Sequence, residues 1–287
     1  MTPIEIAVPI QIGLLIGVPV VAGALLLWRY GAGQTNIWRV IVGGIAGFAA
    51  AQLVLLGLVP LMGALGLPDP PTQWSRLLIS LVYGLAIGVV EEGVLYLLLR
   101  FWLRDARSWA HGLMLGVGMG GAESVFTGVT SLMWYFTLTS LKTGPPPGQQ
   151  LTDADTVRIN EVLASYWGTP WQLPLLSALQ EICLLALAVA LASLVMYVFL
   201  SGRIIYLPAA MGLHAVAVTT TLFIGQYGAG YSLAVSVVFA VLALGIVARL
   251  GRMAPAAPDS ATAPPASVVQ APAVQKEARP RKKRAKK

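Results

Sequence analysis

A series of long apolar segments constrains this chain more than any other feature. A helix needs about 20 mostly apolar residues to cross a bilayer, and seven segments reach that length. We therefore predict an all-α fold, a polytopic transmembrane helical bundle of about seven spans. The predicted spans are approximately 8–28, 38–66, 76–103, 109–138, 173–200, 204–224 and 228–250.

The composition agrees with a membrane protein. Hydrophobic residues make up 57% of the chain and charged residues only 11%, whereas a soluble domain has about 25% charged residues. The net charge of +7 is concentrated near the C-terminus, where residues 253–287 contain eight Lys/Arg and two acidic residues. The single cysteine, Cys183, lies in an apolar segment, so the chain has no disulfide framework.

Two parts are predicted, a transmembrane domain over residues 1–251 and a tail over 252–287. The tail is rich in Ala and Pro and then basic, so it cannot bury a core. We predict that it is disordered and binds anionic lipid, with no specific nucleic-acid partner. Within the domain, residues 75–225 contain the candidate site, and residues 140–172 form an outer loop. That loop opens with GPPPG, which breaks a helix, and then contains a short amphipathic helix.

Basic residues mark alternate connections between the spans. Because Lys and Arg are enriched in cytoplasmic loops, we predict a multi-pass protein of the cell membrane with its N-terminus outside and its C-terminus cytoplasmic. The first ten residues, MTPIEIAVPI, lack a basic region, so we expect the first span to remain uncleaved. The basic residues are Arg29, Arg39, Arg100, Arg104, Arg107, Arg203, Arg249 and Arg252.

Four carboxylates and one imidazole lie inside the apolar segments. They are Glu91, Glu92, Glu123, Glu181 and His214, and no lysine or arginine lies in the middle of a span to pair with them. A charged side chain near the bilayer centre costs about 2.5–3.5 kcal/mol on insertion scales. Five such groups on four segments indicate a shared polar site. For a single buried Glu or His, a structural hydrogen bond between helices is the alternative interpretation.

Glycines place the carboxylates beside predicted helix contacts. Gly84 and Gly88 share a helix face with one or the other residue of the glutamate pair. Gly116 and Gly120 belong to a stripe of small residues that Glu123 continues. Such stripes allow close packing of membrane helices, so we expect the carboxylates to lie where another helix approaches.

Several carboxylates in a low dielectric cannot all be ionised without compensating cations. Either some stay protonated and act as acids, or a divalent metal such as zinc supplies positive charge. The candidate metal ligands are then Glu123, Glu181 and His214. Both arrangements suit hydrolysis, through a carboxylate that deprotonates water or through a metal-bound water. The HExxH and GxSxG motifs are absent from the sequence.

The order of these residues resembles the YhfC family of intramembrane proteases. That family is related to PrsW and to the CAAX-protease/bacteriocin-processing (CPBP) glutamic-type intramembrane proteases. The resemblance covers roughly residues 75–220. It depends on the Glu91-Glu92 pair of the third span, on GVGMGGAE from Gly116 to Glu123, which is similar to a GxGHGGxE signature, and on His214 in a late span.

The resemblance implies a membrane-embedded helical bundle that hydrolyses peptide bonds of membrane-associated substrates. By this resemblance Glu91 or Glu92 is the general base, with the choice between them open. Glu123 and His214 would share proton handling, oxyanion stabilisation or metal ligation. Glu181 is similar to the glutamate of an ERxxA segment in the family and would have a supporting role.

The chain departs from the family pattern at several polar positions. Met119 replaces the histidine of the signature, Ile182 the arginine after the fifth-span glutamate, and Val189 a downstream histidine. Val218 stands where related enzymes often have Asn or Asp. These replacements support an alternative, a non-catalytic relative that binds membrane proteins. A proton- or cation-coupled transporter is a third hypothesis, because intramembrane carboxylates also mark ion pathways.

Overall fold

The computed structural model describes residues 2–31, 34, 36–64, 72–144 and 152–253. Within these residues the chain forms eight helices and no strand. The helices are α1 (Pro3–Tyr30), α2 (Ile37–Ala64), α3 (Gln73–Phe101), α4 (Trp109–Thr143), α5 (Asp153–Trp167), α6 (Gln172–Ser201), α7 (Tyr206–Gly225) and α8 (Ala229–Met253).

The seven long helices coincide with the seven predicted spans, and α5 is the short helix predicted within the loop 140–172. In the described part of the chain, six helices are long and apolar enough to cross a membrane, namely α1, α2, α3, α6, α7 and α8. The predicted all-α transmembrane bundle is confirmed. α4 continues to Thr143, so the loop begins later than predicted. The GPPPG segment from residue 145 on, and the tail from residue 254 on, lie outside the described residues.

The first half of α4 is enclosed by other helices. Every residue from Ala110 to Gly121 is buried, and the helix packs against α1, α2 and α6. A helix segment surrounded by protein has no face to present to lipid, so residues 110–121 can include glycines in place of large apolar side chains. This environment explains why α4 is not among the six most apolar helices.

The predicted glycine stripe of α4 makes the closest contact with α6. A Cβ atom added at Gly116 would lie 2.5 Å from Cα of Val189, and one added at Gly120 would lie 2.7 Å from Cβ of Ala188. No side chain larger than hydrogen fits at such distances. The prediction that these glycines mark close helix packing is confirmed.

α3 and α7 approach each other just as closely. A Cβ atom at Gly88 would lie 2.6 Å from the carbonyl oxygen of Met211 and 2.9 Å from the amide nitrogen of Ala215. Further along the interface, Thr219 Oγ1 donates a hydrogen bond at 3.2 Å to the carbonyl oxygen of Ser80, about two helical turns before Gly88 on α3. This backbone contact fixes how far the two helices can slide relative to each other.

The bundle has two ends of different charge. The basic end contains the α1–α2, α3–α4 and α6–α7 connections together with the C-terminus of α8. There the guanidinium of Arg107 donates hydrogen bonds to the carbonyl oxygens of Leu99 and Leu103, both at 2.9 Å. The same group lies over the ring of Phe199, 4.5 Å from its centroid. Arg107 thereby ties the α3–α4 turn to α6.

The opposite end is the α5 end. α5 begins with a capping box, in which Thr152 Oγ1 accepts a hydrogen bond from the amide of Asp155 and the Asp155 carboxylate accepts one from the amide of Thr152. The Thr152 side-chain hydrogen bond lowers the pKa of the Asp155 carboxyl. Lys142 Nζ lies 2.7 Å from Glu5 Oε1 and 4.6 Å from the ring of Trp167. These contacts join α5 to the ends of α1 and α4.

The α3–α7 contact gives the first prediction. Gly88→Ala places a methyl group against the α7 backbone, and we expect it to destabilise the protein by about 1–3 kcal/mol, as overpacking of a close contact does. Gly245→Ala on α8 is the matched control, because no atom lies within 4 Å of an added Cβ there. Because alanine has a higher helix propensity than glycine, the stability of this control should be unchanged or slightly increased. The difference is measured by unfolding the purified variants in detergent and following the unfolding by circular dichroism. Equal stability of the two variants would contradict the close contact between α3 and α7.

Candidate active site

The α3–α7 contact brings His214 against the glutamate pair. Glu91 and Glu92 follow Gly88 by three and four residues, about one turn along α3, and His214 lies between Met211 and Ala215, the two α7 residues whose backbones contact Gly88. His214 Nδ1 is 3.0 Å from Glu92 Oε1, a hydrogen-bond distance. His214 Nε2 is 3.9 Å from Glu91 Oε2, an ion-pair distance.

Both glutamates therefore reach one imidazole ring, although adjacent helical residues point about 100° apart. The two ring nitrogens lie on opposite sides of the imidazole, so Glu91 and Glu92 approach it from different directions. A protonated imidazole can donate from both nitrogens, whereas a neutral one donates from a single nitrogen. The arrangement thus places one carboxylate beside each ring nitrogen.

Glu92 is the most enclosed of the carboxylates. Only 2% of the residue is exposed, and its Oε2 atom is buried without a hydrogen-bond partner among the described residues. A buried oxygen without a partner loses hydration without compensation. Such an atom is a place where a proton or a bound water would be stabilised.

The glutamate cavity, as we name it, adjoins this cluster and has a volume of about 280 Å³. Its polar lining consists of Gln52, Glu91, Glu92, Glu123 and His214, and the other lining side chains are apolar. Among the described residues that line it there is no lysine or arginine. The only cation that the lining can provide is therefore the His214 imidazolium.

Glu123 reaches the glutamate cavity from α4, while the imidazole and its two partners come from α3 and α7. Its carboxylate makes no hydrogen bond to a described residue, and its nearest charged neighbours include His214 and Glu181. Glu181 on α6 does not line the cavity. The structure thus brings together Glu91, Glu92, Glu123 and His214, with Glu181 beside them.

Gln52 is a cavity residue that the sequence reasoning missed. It lies on α2 in the segment FAAAQLVLL, where an isolated amide interrupts an apolar run. Polar residues in membrane helices usually face the bundle interior, so that interruption was the available signal. The other histidine, His111, lies twelve residues before Glu123 on α4, where its Nδ1 is 2.8 Å from the hydroxyl of Ser108.

The positions that depart from the family pattern fall into two groups. Met119 and Val218 line the glutamate cavity and make part of its wall apolar. Val189 instead supports the α4–α6 contact, where its Cα lies against Gly116. Ile182 does not line the cavity. Only two of the four replacements therefore change the surface that a ligand would meet.

Comparison with known proteins identifies the family. The YhfC intramembrane metalloprotease family matches residues 14–244, which is most of the chain. The chain therefore belongs to this family. An uncharacterized membrane protein YhfC of Bacillus subtilis (strain 168) is 30% identical over 140 residues, which are 47% of this chain and 53% of the relative. The match thus spans about half the length of that curated relative. No solved structure matches the chain significantly.

The family description implies a metal, and the side chains allow a test of that implication. Among the described residues, no three His, Cys, Asp or Glu side chains are grouped so that they could hold a metal ion. His214 has its Nδ1 held by Glu92, so only its Nε2, 3.9 Å from Glu91, could serve as a ligand, and Glu181 lies outside the cavity lining. The candidate set Glu123, Glu181 and His214 does not fit a three-ligand site in this arrangement.

In chemical terms the cavity combines proton acceptors with one proton donor in an apolar enclosure. Carboxylates can take a proton from water, and an imidazolium can donate a hydrogen bond to a developing negative charge. A cavity of about 280 Å³ has room for water, which needs a polar lining with two or more partners. The arrangement can therefore support hydrolysis.

Pairing between Glu92 and His214 gives the second prediction. His214→Leu leaves Glu92 buried without its partner, and we expect a loss of about 3–5 kcal/mol of unfolding free energy. The double variant Glu92→Leu/His214→Leu should recover part of that loss, because no unpaired group is left at this position. A double-mutant cycle of detergent unfolding measures the coupling. Additive losses would mean that the two side chains do not stabilise each other.

Proposed function

We propose that this member of the YhfC family is an intramembrane peptidase that hydrolyses peptide bonds of membrane-associated substrates. One observation carries the proposal. An imidazole lies between two buried carboxylates, at 3.0 Å and 3.9 Å, in a cavity that a third carboxylate, Glu123, enters from another helix. Paired acids and bases enclosed away from bulk solvent are what amide hydrolysis requires.

Glu123 is the general base in this proposal. It is the cavity carboxylate that no described residue engages by a hydrogen bond, so its oxygens are available to a water molecule. Glu123 accepts a proton from that water as the oxygen attacks the carbonyl carbon of the peptide. A positioned carboxylate of this kind contributes about 10²–10⁴-fold to the rate.

His214 stabilises the oxyanion that forms on the attacked carbonyl. Glu92 holds the ring through Nδ1, which leaves the Nε2 proton to be donated into the cavity. Glu91, 3.9 Å from Nε2, favours the charged ring by Coulombic attraction. Glu91 and Glu92 are thus positioning and charge-balancing residues, while Glu123 and His214 touch the reacting atoms.

The second half of the reaction returns the protons. The tetrahedral intermediate collapses with cleavage of the C–N bond, and protonated Glu123 gives its proton to the departing amine nitrogen. The products are a carboxylate and an amine, and the site returns to its starting protonation state after proton exchange with water. No step is routed through a metal, since the donor side chains in the described part of the chain are not grouped to hold one.

The different charge of the two ends of the bundle supports one orientation in the membrane. The arginines of the α1–α2, α3–α4 and α6–α7 connections and of the α8 terminus all lie at the basic end, which we assign to the cytoplasm. The N-terminus and the α5 end then face outward. The basic tail, residues 252–287, would contact anionic lipid of the cytoplasmic leaflet.

A second candidate function is the binding of membrane peptides without cleavage. The observation in its favour is the apolar wall formed by Met119 and Val218 inside the glutamate cavity. Such a wall reduces the number of groups that can orient water. Capture of a peptide without any cleavage by the wild-type protein would support this function over the peptidase.

The peptidase proposal predicts that Glu123→Gln lowers kcat by at least about 10²-fold, because the amide keeps the shape but cannot accept the proton. Glu161→Gln is the matched control, since Glu161 is exposed on α5 outside the cavity. The measurement is cleavage of fluorescein-labelled casein by protein purified in detergent. Undiminished cleavage by the Glu123 variant would remove Glu123 from the mechanism.

Metal analysis gives a separate prediction. We expect purified protein to contain less than one equivalent of zinc, with the same content in wild type and Glu123→Gln. The reason is that the described donors are not grouped for coordination. Elemental analysis by mass spectrometry measures the content. One equivalent of zinc that disappears in the Glu123 variant would instead identify Glu123 as a metal ligand and replace the proton-transfer mechanism.

A further inference from the structure

A second cavity, which we name the vestibule, lies at the α5 end of the bundle. It has a volume of about 440 Å³ and lies between α1, α4 and α6, with Tyr166 of α5 in its wall. None of the described residues that line it carries a charge. Its side chains provide hydroxyl and amide groups set among apolar ones. These hydroxyl and amide groups belong to Gln11, Thr127, Thr130, Ser131, Thr169 and Ser177.

The vestibule continues the glutamate cavity along the same face of α4. Thr127, Thr130 and Trp134 follow Glu123 by four, seven and eleven residues, and this spacing places them on one helix face. Glu123 lines the glutamate cavity, while Thr127, one turn further and about 6 Å along the axis, lines the vestibule.

Residues of α6 also line the two cavities one after the other along the helix. Ser177 lines the vestibule, Leu184 lines the glutamate cavity, and Glu181 lies between them at helical spacings of four and three. Glu123 and Glu181 are near enough to interact electrostatically. The two cavities are therefore stacked along one axis, with these two carboxylates at the neck between them.

Helix packing explains why the space opens where it does. Gly120 is the last glycine of α4 that lies against α6. Further along α4, Gly128 faces α1, where an added Cβ would lie 3.0 Å from Cβ of Leu15. Ser124 Oγ also donates a hydrogen bond to the carbonyl oxygen of Leu15, at 2.8 Å. Toward the α5 end, α4 thus follows α1 and leaves a gap beside α6.

We propose that the vestibule binds an extended stretch of the peptide substrate and delivers the scissile bond to Glu123, an inference that rests on the proposed function. Peptide bonds of an extended chain have N–H and C=O groups that lipid cannot satisfy. Hydroxyl and amide side chains both donate and accept hydrogen bonds, and a neutral lining suits an uncharged backbone. Glu123 and Trp134 are about 16 Å apart along the axis of α4, and about five residues of an extended peptide span that distance.

The bundle offers a contrasting cavity that serves as a control. An apolar groove of about 710 Å³ lies between α1, α2 and α4, and its lining includes Ala24 and Trp38. No hydroxyl or amide side chain lines it among the described residues, so it lacks partners for a peptide backbone. A lipid acyl chain fits that chemistry, and the groove provides matched positions for variants.

The experiment measures peptide binding without turnover. The probe is a fluorescein-labelled peptide of leucine, alanine and glycine in detergent micelles, and the protein is the full-length Glu123→Gln variant. Thr130→Trp fills the vestibule and should weaken the Kd at least about tenfold by fluorescence anisotropy, while Ala24→Trp should leave it unchanged. A benzophenone amino acid replacing Trp134 should crosslink to the peptide, whereas one replacing Trp38 should not.

The outcomes separate this inference from the peptidase proposal. Equal affinities of the Thr130 and Ala24 variants, absence of peptide binding, or a crosslink from position 134 to lipid alone would overturn the vestibule assignment. If Thr130→Trp does not fold, the crosslinking result from position 134 tests the vestibule assignment by itself. Wild-type cleavage that Thr130→Trp leaves intact would reject the vestibule and keep the peptidase. Vestibule binding without any wild-type cleavage would reject the peptidase and keep the vestibule.

Discussion

The site depends on one contact, the hydrogen bond between Glu92 and His214 inside an apolar bundle. Burial of a carboxylate in this environment is costly unless a partner compensates it, and among the described lining residues the imidazole is the only group that can become cationic. That partner reaches Glu92 because Gly88 lets the α3 and α7 backbones touch. Any residue with a side chain at that position would separate the helices and lengthen the 3.0 Å contact.

The same use of small residues organises α4. Its glycines bring α6 close and leave Glu123 at the edge of the packed region, where the helices begin to separate. The close contact therefore ends where a cavity begins. Three features follow one another along α4: the glycine stripe that packs against α6, then Glu123, and then the hydroxyl groups of the vestibule near the α5 end.

Family membership and local chemistry point to hydrolysis but differ on the metal. The family is described as metalloproteases, whereas the described side chains around this cavity provide one imidazole and no group of three side chains that could hold a metal. Met119 and Val218 add apolar surface to the same wall. A site with one imidazole and several carboxylates has the composition expected of proton-transfer chemistry, in which carboxylates exchange protons with water and substrate.

The sequence by itself determined the number and approximate limits of the helices, since a span needs about 20 apolar residues and such runs are visible in one dimension. It also identified the buried carboxylates and the glycine faces beside them. Only the tertiary structure decided that Glu91 and Glu92 share one ring, that Gln52 joins the cavity and that Glu181 stays outside its lining. These outcomes depend on the rotation and register of helices that are distant in the chain, which the spacing of residues within one helix does not encode.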